Sequence, residues 1–210
     1  MIEPVLTYSR FERFWHWTQA ALILFLAATG FEIHGSFAFL GYEQAVRAHT
    51  VAAQALIVLI AFAIFWHLTT GEWRQYVPST TLLRAQAEYY LIGIFRGAPH
   101  PSHKTRLNKL NPLQRIVYLS LKLLAFPLMV ASGLLYLLYR YPQRHGIEAL
   151  NVGGLQTIAV VHTACAFFLV AFVIAHVYLI TTGTTVTSNL KAMLTGSEVI
   201  EHEAPCVPTT

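Results

Sequence analysis

The ten histidines are the residues of this chain best placed to do chemistry. His16, His49, His67, His162 and His176 lie within or at the ends of long apolar runs, and His34 closes the first of those runs. Ionisable side chains in such runs are costly, and by default they mark function. A lone histidine there can also serve as a hydrogen-bonding link between helices. His162 and His176 stand 14 residues apart, which on a helix is about 40° around the axis and about 21 Å along it. Two imidazoles at two depths of one face suit two stacked hemes, one near each membrane surface.

Each heme then needs a second ligand from a neighbouring helix. The second and fourth apolar runs point the same way, so His49 is level with His162. The first run points the opposite way, so His16 is level with His176. The expected pairs are His49–His162 for the outer heme and His16–His176 for the inner one. His67 competes for the inner position. It follows His49 by 18 residues, and it overshoots the depth of His176 by about 6 Å. It reads as an interfacial histidine or as a contact to a propionate or quinone. Imidazole on both faces of an iron gives a closed site that moves electrons and leaves no position for dioxygen. Gly30 and Gly133 are candidates for close approach of a flat ring. Arg13 and Arg47, near the ligands, are candidates for pairing propionates. Lys122 is expected to snorkel to the cytoplasmic surface, with a propionate or quinone contact as the alternative.

The elements that must position these residues are apolar helices. The 210-residue chain is 55% hydrophobic and only 11% charged, against about 25% charged in soluble domains. Its mean hydropathy is +0.51. Four runs meet the length needed to cross a bilayer, near residues 14–34, 45–70, 114–139 and 156–181. They imply an all-α integral membrane protein, a four-transmembrane-helix bundle. Residues 1–196 would form the four-helix membrane domain and 197–210 a C-terminal tail. Alternating strand patterns of a β-barrel are lacking. Basic residues sit between the runs rather than over a soluble face, so the basic balance points to membrane topology and not to nucleic acid. Arg10, Arg13, Arg74, Arg84, Arg96, Lys104, Arg106, Lys109, Arg115 and Lys191 would share one side. Only Arg47, Arg140 and Arg144 fall on the other. Both termini and the 71–113 connection are therefore expected in the cytoplasm of a bacterium with a multi-pass inner-membrane protein. Within that connection, Leu82 to Phe95 reads as an amphipathic helix with Tyr89, Tyr90, Leu91 and Ile94 on its greasy side.

Cys165 and Cys206 form no CxxC or CxxCH. That excludes covalent c-type heme attachment and argues against an iron–sulfur cluster or structural zinc in this chain. The first apolar run reads as a retained span rather than a cleaved signal.

Several motifs carry a resemblance. Arg13-Phe14-Trp15-His16-Trp17, Thr29-Gly30, Arg47-Ala48-His49, Asn111-Pro112-Leu113-Gln114-Arg115 and the His162…His176 pair resemble the bacterial diheme cytochromes b. That group includes the formate dehydrogenase gamma subunit, the nickel–iron hydrogenase b-type cytochrome, the thiosulfate reductase cytochrome b subunit and cytochrome b561. The likeness runs from Tyr8 to about Leu194. It implies a four-helix bundle with two hemes b, and it matches His16, His49, His162 and His176 to the axial ligands of the heme irons. It also matches Asn111 to a quinone-binding asparagine. Leu113 stands where the formate dehydrogenase type has a glycine, and Pro112 also differs, which brings this version closer to the thiosulfate reductase and hydrogenase types.

The expected function is electron transfer across the membrane between a redox partner and the quinone pool. The partner would be an iron–sulfur or catalytic oxidoreductase subunit of the formate dehydrogenase, hydrogenase or thiosulfate reductase type. The chain carries no molybdenum, nickel or iron–sulfur signature, so substrate conversion would lie elsewhere. The alternative is a stand-alone superoxide:quinone oxidoreductase of the cytochrome b561 kind, for which basic residues at the outer face would steer the anion. A third reading, a transporter or scaffold, predicts no heme.

Overall fold

The computed structural model of the chain describes residues 3–98, 101, 109–144, 152–183 and 185–200. Lys104, Arg106, Cys206 and the tail beyond Ile200 lie outside the described residues, as do the side chains of Arg140 and Arg144. The described part is dominated by helices. In chain order the main elements are strand β1 (Glu3–Leu6), helices α1 (Arg10–Ile33), α2 (Tyr42–Thr70), α3 (Leu83–Leu91), α4 (Pro112–Ser120), α5 (Phe126–Arg144), α6 (Val152–Ile180) and α7 (Ser188–Thr195), and strand β2 (Ser197–Ile200). A π turn, Leu121–Ala125, joins α4 to α5. Helices α2, α4–α5 and α6 contain stretches long and apolar enough to cross a membrane: Tyr42–Thr70, Pro112–Leu138 and Gly154–Ile180. Most of their large apolar side chains face outward, Phe62, Phe65, Leu124, Phe168 and Ile174 among them. This is an all-α membrane protein. At 24 residues α1 is as long as about 36 Å, but its first turn carries Arg10, Glu12 and Arg13.

The helix ends are written in local sequence. Ser9 caps α1 through a reciprocal box: its hydroxyl accepts from the Glu12 N–H at 3.2 Å, and Glu12 Oε2 accepts from the Ser9 N–H at 2.7 Å. Asn111 and Gln114 build the same box at α4, with Pro112 in the first turn where its missing N–H costs nothing. Gly71 and Gly196 end α2 and α7 in the left-handed conformation, at φ 77° and 88°.

Two hairpins form the body. α1 packs along α2, and α5 packs along α6. The buried face of α2 carries three alanines, Ala45, Ala52 and Ala63, with Leu56 and His67; the alanines let the backbones approach closely. The other hairpin closes on Leu121, Ala125 and Leu169, flanked by Tyr118, Phe126, Met129 and Phe172. Between the hairpins the described contacts run through side chains. Phe31 meets Phe167 edge-on at 5.8 Å, and Thr163 Oγ1 lies 3.3 Å from His34 Nε2.

The end carrying the amino terminus, α3 and α7 is called here the loop end; the opposite one is the hairpin end. The loop end is lashed together. β1 pairs antiparallel with β2, with Leu6 opposite Ser197, so the tail expected from Ser197 onward begins as a strand. Arg13 Nη1 donates to the Leu194 carbonyl at 2.6 Å, and Trp17 Nε1 donates to Met193 at 3.3 Å. Lys109 Nζ bridges Glu12 at 2.8 Å and Glu72 at 3.3 Å. The amphipathic segment is shorter than its pattern suggests. α3 stops at Leu91, and a 3-10 turn, Gly93–Arg96, replaces its last part. Its fully buried residue is Gln86, while Leu91 stays largely exposed.

At the hairpin end the buried carboxylate of Glu32 orders the link between α1 and α2. Its Oε1 accepts three backbone N–H groups, from Phe39 at 2.7 Å, Leu40 at 2.6 Å and Gly41 at 2.8 Å. Two of these donors belong to the link itself and the third to Gly41, the N-cap of α2. Glu32→Ala is expected to lower the thermal midpoint of the detergent-purified protein by several degrees, with Glu32→Gln between it and wild type. An unchanged midpoint in Glu32→Ala would remove this role.

Candidate functional site

Four of the membrane histidines meet in two facing pairs. His49 on α2 and His162 on α6 have ring centres 6.4 Å apart, near the hairpin end. His16 on α1 and His176 on α6 have ring centres 6.2 Å apart, near the loop end. The 14 residues between the two α6 histidines set the pairs about 21 Å apart along the helix. His67 belongs to neither pair. Its Nδ1 lies 2.6 Å from the Ala63 carbonyl, and its ring packs among Trp15, Trp66 and Tyr76.

The ring spacing has a direct chemical meaning. A metal–imidazole bond of about 2 Å, with the ring centre about 1.1 Å beyond the bonded nitrogen, puts two opposed ring centres about 6.3 Å apart. Both pairs match that separation. Among the described residues no third His, Cys, Asp or Glu joins either pair to complete a bare-ion site. Two opposed imidazoles and nothing else suit an iron whose other positions are filled by a porphyrin.

Hydroxyls fix the rings of the hairpin-end pair. Thr29 Oγ1 donates to the Phe25 carbonyl at 2.9 Å, so its lone pair receives the His49 Nδ1–H, also at 2.9 Å. Ser132 Oγ donates to the Met129 carbonyl at 3.0 Å and receives His162 Nδ1–H at 3.0 Å. Both imidazoles therefore keep the proton on Nδ1 and leave Nε2 bare for a metal. Gly30 and Gly133 lie against these rings. A Cβ at Gly133 would stand 3.2 Å from His162 Cε1, and one at Gly30 would stand 3.7 Å from His49 Cε1. Aromatic rings hold the loop-end pair instead. His176 stacks on Phe172 at 5.8 Å, and His16 meets Trp17 edge-on at 5.4 Å.

The remaining candidates separate. Arg13 turns its guanidinium to the end of α7 through Leu194, and its Nε is buried without a partner among the described residues. The same is true of Trp15 Nε1. In space Arg13 lies against the end of α7, and the Trp15 ring lies against His67 and Lys122. Arg47 is exposed, two residues before His49. Asn111 is buried and spends its amide on the fold: Oδ1 accepts from Gln114 N–H at 2.8 Å, and Nδ2 donates to the Tyr90 hydroxyl at 3.0 Å. Burial raises the Tyr90 pKa, against the lowering effect of the Asn111 hydrogen bond. Lys122 does not snorkel freely. Its Nζ sits 3.2 Å over the centre of the Tyr76 ring and 3.4 Å from His67 Nε2. Ser132 and Tyr76 had no place in the sequence pattern, and Trp15 stood there only as part of the Arg13–Trp17 motif. Serine and aromatic residues are ordinary in membrane helices, so their types alone carry no signal.

Ser132→Ala and Thr29→Ala each remove one Nδ1 partner. Each is expected to weaken heme retention at the hairpin-end pair by about 10- to 100-fold, with the absorption of the other site unchanged. Gly133→Ala is expected to disturb that site more than Gly30→Ala. Retention equal to wild type in all four variants, followed by heme absorbance on dilution in detergent, would contradict this bracing.

The model of the family described as "Prokaryotic cytochrome b561" matches residues 7–196. A protein of Escherichia coli (strain K12) named "Putative cytochrome YdhU" is 34% identical over 203 residues, covering 92% of this chain and 74% of that protein. With its apolar helices and histidine pairs, the chain belongs to the prokaryotic cytochrome b561 family and is a b-type, heme-binding electron-transfer protein of the membrane.

Proposed function

We propose that this chain is a diheme cytochrome b, the membrane anchor of a respiratory oxidoreductase in the bacterial inner membrane. It carries electrons between a partner subunit and the quinone pool. The observation that carries the reading is the duplication of one geometry: two opposed imidazole pairs with ring centres 6.2 and 6.4 Å apart, at two depths of α6. On this reading α1 is a fourth crossing, both termini are cytoplasmic, and the loop end faces the cytoplasm.

His49 and His162 would hold the outer heme b, and His16 and His176 the inner one. Bound heme supplies reversible one-electron chemistry. The protein supplies the rest. Opposed imidazoles close the iron to other ligands. Thr29 and Ser132 hold the outer imidazoles in one tautomer. Arg13 offers its guanidinium to carboxylates at the inner site, and Arg47 offers its guanidinium at the outer one. Asn111 and Tyr90 mark the edge where quinone would approach the inner pair. The catalytic or iron–sulfur partner would supply or accept electrons at the other end.

Pyridine hemochrome analysis of the detergent-purified chain tests this. Two hemes b per chain are expected. His16→Ala, His49→Ala, His162→Ala and His176→Ala should each lose or alter one, and His67→Ala should keep both. One heme per wild-type chain, or full heme content in His49→Ala, would overturn the diheme reading. Superoxide-driven quinone reduction by the chain alone would replace the anchor role with the stand-alone one.

A further inference from the structure

A second cluster lies beside the loop-end pair, and electron transfer alone does not use it. His67, buried, commits Nδ1 to the Ala63 carbonyl at 2.6 Å. Its neutral ring is then left with one lone pair, on Nε2. Two donors converge on that single lone pair: the Tyr76 hydroxyl at 3.3 Å and Lys122 Nζ at 3.4 Å. One lone pair cannot satisfy both. Lys122 has no carboxylate partner among the described residues; the rings of Tyr76 and Trp15, 3.2 and 5.3 Å away, hold its charge instead. It also sits on the π turn Leu121–Ala125, an irregularity that recurs at functional sites. The outcome is a half-buried ammonium with protons to spare, touching an imidazole nitrogen that is able to take one back.

The charged surroundings are largely enclosed: Glu12 and Lys109 are 13% and 10% exposed, and Glu72, at 31%, is the most exposed of the three. Glu12 of α1 and Glu72 of the turn after α2 act on His67. Both are joined by Lys109 from the connection before α4. Tyr118, one turn before Lys122 on α4, and Tyr8 are the other titratable groups acting on Tyr76. Burial, then the Glu12 charge, raises the Tyr76 pKa, so its hydroxyl remains a donor.

We propose that Lys122 and His67 form a proton-donating pair for quinone at the loop end. The proposal rests on the diheme–quinone reading above. Reducing a quinone to a quinol takes two electrons, delivered from the inner end of the electron-transfer chain, and two protons. For each proton an N–H bond of the Lys122 ammonium breaks as an O–H bond forms on the quinone, leaving a neutral amine. His67 Nε2, a lone pair at rest, first takes a proton from the partly exposed side where Glu72 lies and then passes it to the amine. Quinol oxidation runs the same steps backwards.

Lys122→Arg discriminates. Arginine keeps the positive charge and stacks on the same rings, but it does not release a proton in proteins. The experiment measures heme content, the rate of heme reduction by a soluble quinol between about pH 6 and 9, and proton uptake on dithionite reduction with an indicator dye in weak buffer. Wild type, Lys122→Arg, Lys122→Met and His67→Gln are compared. Expected in all three variants are full heme content, quinol rates down by about tenfold or more, and loss of the proton taken up on reduction. A Lys122→Arg protein with wild-type rate and proton uptake would overturn the proposal by reducing Lys122 to a fixed charge. A wild type that takes up no proton on reduction would also overturn it. A wild type that holds two hemes but ignores quinol would defeat the quinone reading instead, and proton uptake would still decide the pair.

Discussion

Two histidine pairs with ring centres about 6 Å apart, set 14 residues apart on one helix, are the constraint that the other helices have to meet. The rest of the architecture keeps both separations. Each hairpin packs closely within itself, through the buried alanines of α2 and through Leu121, Ala125 and Leu169. Across the hairpins, longer side chains such as Phe31 and Phe167 hold the walls apart. α6 contributes to both pairs, so its run from His162 to His176 fixes their separation.

The two sites are braced by different physics. At the hairpin end, hydroxyls that already bond to their own helix carbonyls orient each ring, a geometry that sets tautomer as well as position. At the loop end, among the described residues, aromatic contacts set the position of the rings. A hydrogen bond at Nδ1 makes an imidazole a stronger electron donor to a metal. The two ends therefore offer a metal unequal ligand fields, although the ligating atoms are of one kind. The end with the looser bracing is the one surrounded by tyrosines, carboxylates and lysines.

Much of this was legible in the sequence because helices are rigid rulers. Apolar length placed the long helices, and a fixed rise per residue brought His49 level with His162 and His16 level with His176. The same ruler kept His67 apart. What stayed hidden depends on direction rather than depth. Thr29 and Ser132 are ordinary small residues until their hydroxyls are seen to point at a ring. Lys122 reads as a snorkelling cation because nothing in its neighbours announces a π turn. The β1–β2 ribbon escaped because four-residue strands at opposite ends of a chain have no local signature. Asn111 shows the reverse case: its helix-start role is plain from the Asn-Pro-Leu-Gln pattern, and its side chain is spent there.

The π turn also sets the phase of everything beyond it. A single residue changes the facing of a helix by about 100°, and a π turn absorbs such a residue without breaking the rod. Tyr118 and Lys122 are thereby matched to one set of neighbours and Ser132 and Gly133 to another, along what looks like one continuous helix. The third long helix works as two separately indexed segments. Losing one residue between Leu121 and Ala125 would restore a regular helix with both segments still facing α6, and would remove the widened turn that carries Lys122.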